Sequence, residues 1–129
     1  MENKGSFIFD IDGTICRIKT KDEEYMALIP YENIVKKIRS LKEDGYKIIL
    51  FTSRNMNSYS GNLGLINKNT AKVMLNWLDK WDIPYDEIIY GKPWPGRFGF
   101  YVDDRAVRPK ELLENSVEDL TKICDEDRL

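Results

Sequence analysis

Short apolar runs alternate with amphipathic segments along the chain. Four runs have the length of strands, and in one-letter code they read FIFDI, KIILFT, EIIY and FGFYV. The first two are apolar enough to be covered on both faces of a sheet. Between and after the runs, apolar residues recur at helical spacing. Strands that alternate with helices predict an α/β fold, a Rossmann-like three-layer sandwich around a small, mostly parallel sheet of about four strands.

The helical segments each have an apolar side. The first is predicted to open at Pro30 and to stop at Gly45, the second covers 70–81, and the tail is predicted to be helical from Pro109 onward. The apolar sides consist of Ile34, Val35, Ile38 and Leu41; Val73, Met74, Trp77, Leu78 and Trp81; and Leu112, Leu113, Val117, Leu120 and Ile123. The stretch 55–69, NMNSYSGNLGLINKN, is predicted to be a polar loop.

Length and charge narrow the class of protein. A chain of 129 residues predicts one domain, 1–129. A net charge of −2 argues against a general nucleic-acid or anionic-membrane surface. No apolar run has membrane-spanning length, the first residues lack the apolar region of a signal peptide, and the two cysteines are isolated. We therefore expect a reduced, cytoplasmic protein without membrane or nucleic-acid partners.

The chain contains no histidine. This excludes Ser–His–Asp and Cys–His nucleophile pairs and every histidine-ligated metal site. Acid–base chemistry must then use Asp, Glu, Lys, Tyr or Cys.

Polar side chains follow the ends of the predicted strands. They are Asp10 and Asp12, Thr52 and Ser53, Lys92, and Asp103 and Asp104. Because parallel strands end at a common edge, where ligand sites of open α/β folds form, these groups are expected to converge there. Independent surface turns are the alternative, but such turns would be free to use Asn, Ser or Gly instead.

Electrostatics favours a cation at such a site. Two like charges about 4 Å apart repel by roughly 4 kcal/mol at an effective dielectric constant of about 20. Several carboxylates therefore need protonation, wide spacing into water or a divalent ion, and oxygen ligands combined with a substrate phosphate suit Mg²⁺. A lysine and a hydroxyl would then bind and neutralise the phosphoryl oxygens.

The motifs DIDGT, the strand ending at Thr52, GKP with Lys92, and YVDD resemble the four motifs of the haloacid dehalogenase (HAD) superfamily phosphatases, in that family's order. The resemblance spans 7–104. The longer strings GNLGLINKNT and GKPWPGRFGFYVDDRAVRP also resemble a small HAD branch associated with capsular polysaccharide biosynthesis.

This resemblance implies a role for each motif residue. Asp10 would be the nucleophile that forms an aspartyl-phosphate, and Asp12 would be the general acid and base. Thr52 and Lys92 would bind the phosphate. The implied Mg²⁺ ligands are Asp10, Asp12 through its backbone carbonyl, Asp103 and Asp104. The predicted substrate-binding residues are Gly13, Ser53, Arg54 and Asn67.

The resemblance also predicts a fold without a cap domain, because both gaps between motifs are short. Members of this kind act on large substrates or use a neighbouring subunit as a lid, so a homo-oligomer is one expectation. The implied partner is a small phosphomonoester, a sugar or polyol phosphate in polysaccharide precursor synthesis.

Three alternatives stay open at this point. A non-catalytic scaffold could retain the phosphate and Mg²⁺ site, although the intact Asp12 argues against it. A receiver domain combines similar residues in a different order along the chain. A phosphomutase would need a cap to exclude water.

Overall fold

The computed structural model describes residues 4–129. The chain divides into two compact units, Met1–Trp94 and Pro95–Leu129. That residues 1–129 form a single domain stays a prediction. No helix within the described residues is both long enough and apolar enough to span a membrane.

The first unit is built on a three-stranded parallel sheet. Its strands β1 (Ser6–Phe9), β2 (Lys47–Thr52) and β3 (Glu87–Tyr90) are ordered β1-β2-β3. Phe9 pairs with Leu50, and Thr52 pairs with Tyr90, so the carboxyl ends of the strands lie at one edge. The predicted α/β fold with a small parallel sheet is confirmed.

The helices of this unit follow the apolar periodicity. They are α1 (Glu32–Glu43), α2 (Leu63–Asn69) and α3 (Ala71–Lys80), and a 3-10 turn covers Tyr25–Ala27. The four residues predicted for the inner side of the first helix are all buried in α1, which packs against β2. Gly45, at a φ of +98°, donates its N–H to the Lys42 carbonyl after the end of α1, as the glycine stop predicts.

Helix α2 corrects the loop that was predicted over 55–69. The Asn62 side chain accepts a hydrogen bond from the Leu65 N–H at 3.2 Å and so caps the helix, and Ile66 is fully buried. Two turns with one fully buried apolar residue carry too weak a periodic signal in the sequence to separate a short helix from a polar loop.

One face of the sheet is buried and the other is partly open. The strand register places Phe9, Leu50 and Ile88 on the same face, where Leu50 is fully buried. Ile8 and Ile89 point to the opposite face and are 63% and 45% exposed. Both faces of the sheet therefore carry apolar residues, but only one face is buried in this structure.

The second unit contains two helices and no strand within Pro95–Leu129, all of which the structure describes. The helices are α4 (Pro109–Glu114) and α5 (Val117–Glu126), with Leu112 and Leu120 buried. The Ser116 side chain accepts from the Asp119 N–H at 3.2 Å, which starts α5 as a separate helix in the tail.

The fourth strand predicted at FGFYVDD is wrong. Phe98, Phe100 and Val102 are 85%, 87% and 96% exposed and belong to no strand. Gly99 lies so close to the Pro95 carbonyl that a Cβ there would be 2.2 Å from the oxygen. Proline and glycine thus fold the start of this segment into a turn, although its apolar residues alternate as in a strand.

Asp86 connects the sheet to α1. Its carboxylate accepts hydrogen bonds from the Ile48 N–H at 2.8 Å and from Lys42 Nζ at 2.7 Å. The Ile48 N–H, followed by Lys42, lowers the pKa of Asp86. A carboxyl group with a lowered folded-state pKa stabilises the fold at pH values above its unfolded-state pKa of about 3.9. This stabilisation is lost as the pH falls through the folded-state pKa.

We expect Asp86→Ala to lower the free energy of unfolding by about 1–2 kcal/mol at neutral pH, because it leaves the Ile48 N–H without its partner. The side chain of Asp86 is one third exposed, so its ion pair with Lys42 contributes little to the free energy of unfolding. Urea unfolding at pH 7 and at pH 3 checks this, with exposed Asp79→Ala as the control. A difference between wild type and variant that grows in acid would contradict the assignment.

Candidate active site

A tight turn follows β1 and presents Asp10 and Asp12 at the edge of the sheet. Between them, Ile11 is fully buried, and its carbonyl accepts hydrogen bonds from the Thr14 and Ile15 N–H groups at 3.1 and 2.8 Å. Gly13 has a φ of +92°, a conformation that other residues rarely adopt. The buried Ile11 thus anchors the turn while its two acidic neighbours stay partly exposed.

Lys92 approaches Asp10 from the end of β3. Its Nζ lies 3.7 Å from Asp10 Oδ1, and its backbone N–H donates to the Thr52 carbonyl at 3.1 Å. The preceding Gly91 has a φ of +87° and turns the chain at the end of the strand. Backbone pairing between β2 and β3 therefore positions the ammonium group next to the first carboxylate.

Asp10 is partly buried, and this affects its charge. Burial raises the pKa of Asp10, the Lys92 ammonium opposes that rise, and the Asp12 charge adds to it. Thr14 Oγ1 lies 3.4 Å from Asp10 Oδ2. The side-chain contacts of Asp10 with Thr14 and Lys92, at 3.4 and 3.7 Å, are long for hydrogen bonds. A carboxylate of this kind fits Mg²⁺, which uses one or two carboxylates and keeps several waters.

Thr52 ends β2 with a buried side chain, and its hydroxyl accepts a hydrogen bond from the Arg54 N–H at 3.0 Å. Ser53 is half-buried, Gly13 is exposed, and Asn67 is exposed on α2. A substrate contact for these residues stays a prediction.

Arg54 and Asp12 form a two-pronged ion pair. Arg54 Nε lies 3.0 Å from Asp12 Oδ2, and Nη2 lies 2.8 Å from Oδ1. The Arg54 side chain is 1% exposed and the Asp12 side chain 22%. The guanidinium carbon lies 4.0 Å from the centre of the Tyr25 ring. Sequence reasoning missed Tyr25, because nothing in its local pattern links it to a residue 29 positions later.

Cys16 also contacts Asp12 but is not a reactive thiol. Its Sγ lies 3.7 Å from Asp12 Oδ1 and is fully buried. Burial, followed by the Asp12 charge, raises the pKa of the Cys16 thiol to about 12. The thiol is therefore protonated at neutral pH and packs against the turn.

The other two predicted metal ligands belong to the second unit. Asp103 accepts from the Arg105 N–H at 2.8 Å, and Asp104 accepts from Arg128 Nε at 2.9 Å. The Arg128 hydrogen bond lowers the pKa of Asp104. Within residues 4–129, no group of three or more acidic or cysteine side chains forms a metal site. A shared site of Asp103 and Asp104 with Asp10 and Asp12 stays a prediction.

No family model and no curated protein matches the sequence. Solved structures do match. The crystal structure of an MCSG target protein from Vibrio cholerae has 40% sequence identity to this chain and a TM-score of 0.90, and the match covers 96% of this chain and 99% of that one.

A second structure, that of a Pnkp1/Rnl/Hen1 complex, contains a chain with a TM-score of 0.51 and 20% identity. The match covers 87% of this chain but 34% of that one, so this chain spans about a third of its length. At this identity the likeness shows a shared fold alone.

Proposed function

We propose that this chain, which belongs to the same family as the crystallised Vibrio cholerae protein, is a Mg²⁺-dependent phosphomonoester hydrolase of the HAD type. The observation that carries the proposal is the contact between Asp10, which follows β1, and Lys92, which follows β3, with Nζ 3.7 Å from Oδ1. A carboxylate that is partly buried beside an ammonium group, at the carboxyl edge of a parallel sheet, suits attack on a phosphate that the same ammonium neutralises.

Asp10 would attack the phosphorus atom of the substrate. A bond forms between an Asp10 carboxylate oxygen and phosphorus, and the bond from phosphorus to the leaving oxygen breaks. Asp12 gives its proton to that oxygen, so the first product is a neutral alcohol. Asp12 then takes a proton from water, the water oxygen bonds to phosphorus, and the bond to Asp10 breaks. Inorganic phosphate leaves, and both carboxyl groups return to their starting states.

Lys92 and Thr52 would hold the phosphoryl group during both steps. The Lys92 ammonium would neutralise the charge on the phosphoryl oxygens and the Thr52 hydroxyl would donate a hydrogen bond to one of them. One contact supports these roles. The Lys92 N–H donates a hydrogen bond to the Thr52 carbonyl at 3.1 Å, so the two residues are held next to each other.

The Asp10 carboxylate and the Asp12 backbone carbonyl would hold Mg²⁺ in the first unit, and the resemblance implies Asp103 and Asp104 as further ligands. Bound there, the ion would neutralise charge on the phosphate and on Asp10. The same proposal includes a sugar or polyol phosphate substrate, which rests on the resemblance to the capsule-associated branch. It also includes a cytoplasmic location, which rests on the isolated cysteines, and a neighbouring subunit as lid, which rests on the short gaps between the motifs.

A phosphate-release screen tests the function. The purified chain is assayed with Mg²⁺ against sugar, polyol and nucleotide monophosphates, and EDTA is added in parallel. We expect phosphate release that EDTA abolishes and Mg²⁺ restores. Phosphate release from none of these substrates would overturn the proposal. Stable self-phosphorylation from a small phosphodonor without turnover would instead indicate the receiver alternative.

Asp12→Asn is expected to lower the turnover of alkyl phosphates by about 10²–10⁴-fold, the usual contribution of acid–base catalysis. With an aryl phosphate, whose leaving group needs little protonation, the variant should accumulate the phosphoenzyme, because the second step lacks its base. Intact-mass spectrometry would show one added phosphoryl group, and a digest would place it on the peptide that contains Asp10. The control is Asp22→Asn, at an exposed carboxylate. A variant that keeps full turnover would contradict the role of Asp12.

A further inference from the structure

Arg54 is more deeply buried than a residue that binds substrate from solvent. Its side chain is 1% exposed, while the Asp12 side chain that it contacts is 22% exposed. Its two donors Nε and Nη2 both bind the carboxylate of Asp12, at 3.0 and 2.8 Å. The fork of the guanidinium therefore faces Asp12, and a phosphate that arrives from solvent would meet Asp12 first.

Other contacts hold Arg54 in place. The Tyr25 ring lies on the guanidinium, with 4.0 Å between the ring centre and Cζ. The Arg54 N–H donates to the Thr52 hydroxyl at 3.0 Å. The Cys16 thiol contacts Asp12 at 3.7 Å from the protein side. Arg54 and Cys16 thus contact the carboxylate of Asp12 directly, and Tyr25 and Thr52 hold Arg54.

Stability alone explains this pair poorly. Desolvation often cancels the Coulomb attraction of a buried ion pair, so apolar side chains of similar size can stabilise a fold as well. Within the described residues, Arg54 Nη1 is buried and has no hydrogen-bond partner, which adds an unfavourable term. Two parallel hydrogen bonds do, however, restrict the orientation of a carboxylate more than a single contact does.

We propose that Arg54 is a positioning residue for Asp12, and that Tyr25 fixes the plane of its guanidinium. This role rests on the proposed function. In the first step the proton of Asp12 must reach the leaving oxygen, and in the second its oxygen must face the water. A carboxylate that is free to rotate would spend less time in either orientation, and misplacement of a catalytic group by about 1 Å can cost about 100-fold in rate.

The leaving group of the substrate provides the test. Proton donation matters for an alkyl phosphate such as glycerol phosphate, whose leaving group is a poor one, and matters little for p-nitrophenyl phosphate. For Arg54→Gln we expect kcat/KM to fall about 10- to 100-fold more with glycerol phosphate than with p-nitrophenyl phosphate, within the range of acid–base catalysis. The inhibition constant of inorganic phosphate should stay within about twofold, because Arg54 does not bind the phosphoryl group.

Arg54→Lys separates charge from orientation. Lysine keeps the positive charge but cannot form the two-pronged contact, so it should not restore the alkyl activity. Arg39→Gln is the matched control, since the exposed Arg39 donates to the backbone carbonyls of Trp81 and Asp82. Equal losses with both substrates, full rescue by lysine, or a large rise in the inhibition constant of phosphate would each overturn the proposal.

A second measurement does not need turnover. Thermal midpoints of Asp12→Asn, Arg54→Gln and the double variant form a cycle. We expect the loss in the double variant to be clearly smaller than the sum of the two single losses, whereas Asp12→Asn and Arg39→Gln should be additive. Additive losses for Arg54 and Asp12 would overturn the positioning pair.

The two proposals fail in different ways. A wild-type protein that hydrolyses neither substrate removes the proposed function and this role with it. A wild-type protein that hydrolyses both, combined with a uniform loss in Arg54→Gln, removes this role alone.

Discussion

Asp10→Asn is expected to abolish phosphate release, with a loss larger than the roughly 10²–10⁴-fold expected for an acid–base residue. The amide has nearly the shape of the carboxylate but cannot attack phosphorus, so the aspartyl-phosphate cannot form. The measurement is kcat/KM for the preferred substrate of the screen, together with intact mass after incubation with an aryl phosphate. No phosphoryl group should be added to this variant, in contrast to Asp12→Asn.

The same substitution should leave the fold intact. Burial raises the pKa of Asp10, which means that its charged form is disfavoured in the folded protein. A carboxyl group whose pKa is raised in the folded state destabilises the fold once the pH rises above its unfolded-state pKa of about 3.9. In metal-free buffer at pH 7, Asp10→Asn should therefore melt at or above the wild-type temperature. The control is Asp22→Asn, which should match wild type in activity. Residual phosphate release near the wild-type rate would remove Asp10 as the nucleophile.

Trp77→Ala is expected to have the largest effect on stability, a loss of about 3–5 kcal/mol in the free energy of unfolding. The Trp77 side chain is fully buried, and its Nε1 donates to the Leu28 carbonyl at 2.8 Å. The substitution leaves a cavity in the core beside α3 and a buried carbonyl without its partner. It also releases the segment that carries Tyr25 from its anchor on the core.

Urea unfolding followed by far-UV circular dichroism measures this loss. Trp77→Phe fills most of the cavity but keeps the carbonyl unpaired, so it should cost about 1–3 kcal/mol. Trp94→Ala is the matched control, because Trp94 is 46% exposed, and its effect should be within about 0.5 kcal/mol. If Trp77→Ala unfolded at the same urea concentration as Trp94→Ala, the assignment of Trp77 as the core anchor would be wrong.

The elements whose apolar residues recur with a clear strand or helix period were predictable from the sequence. The β2 strand and the α1 and α3 helices lie close to where their apolar residues placed them, and the predicted inner side of α1 is buried residue by residue. Helix α2 and the 98–104 segment were not predictable. In α2, a capping Asn62 and one fully buried residue decided the structure, whereas at 98–104 an apolar alternation without a paired neighbour forms no strand.

The local pattern of residues is enough to specify which groups stand at the strand ends, because Asp10, Asp12, Thr52 and Lys92 lie at the ends of apolar runs. Which of these groups contact each other depends on the packed fold. The contacts of Lys92 with Asp10, and of Arg54 with Asp12 and Tyr25, join residues that are 29 to 82 positions apart. Such contacts depend on strand register and on burial, which are properties of the whole packed unit. A local pattern of apolar and polar residues specifies the elements, but the free energy of packing them together selects the partners.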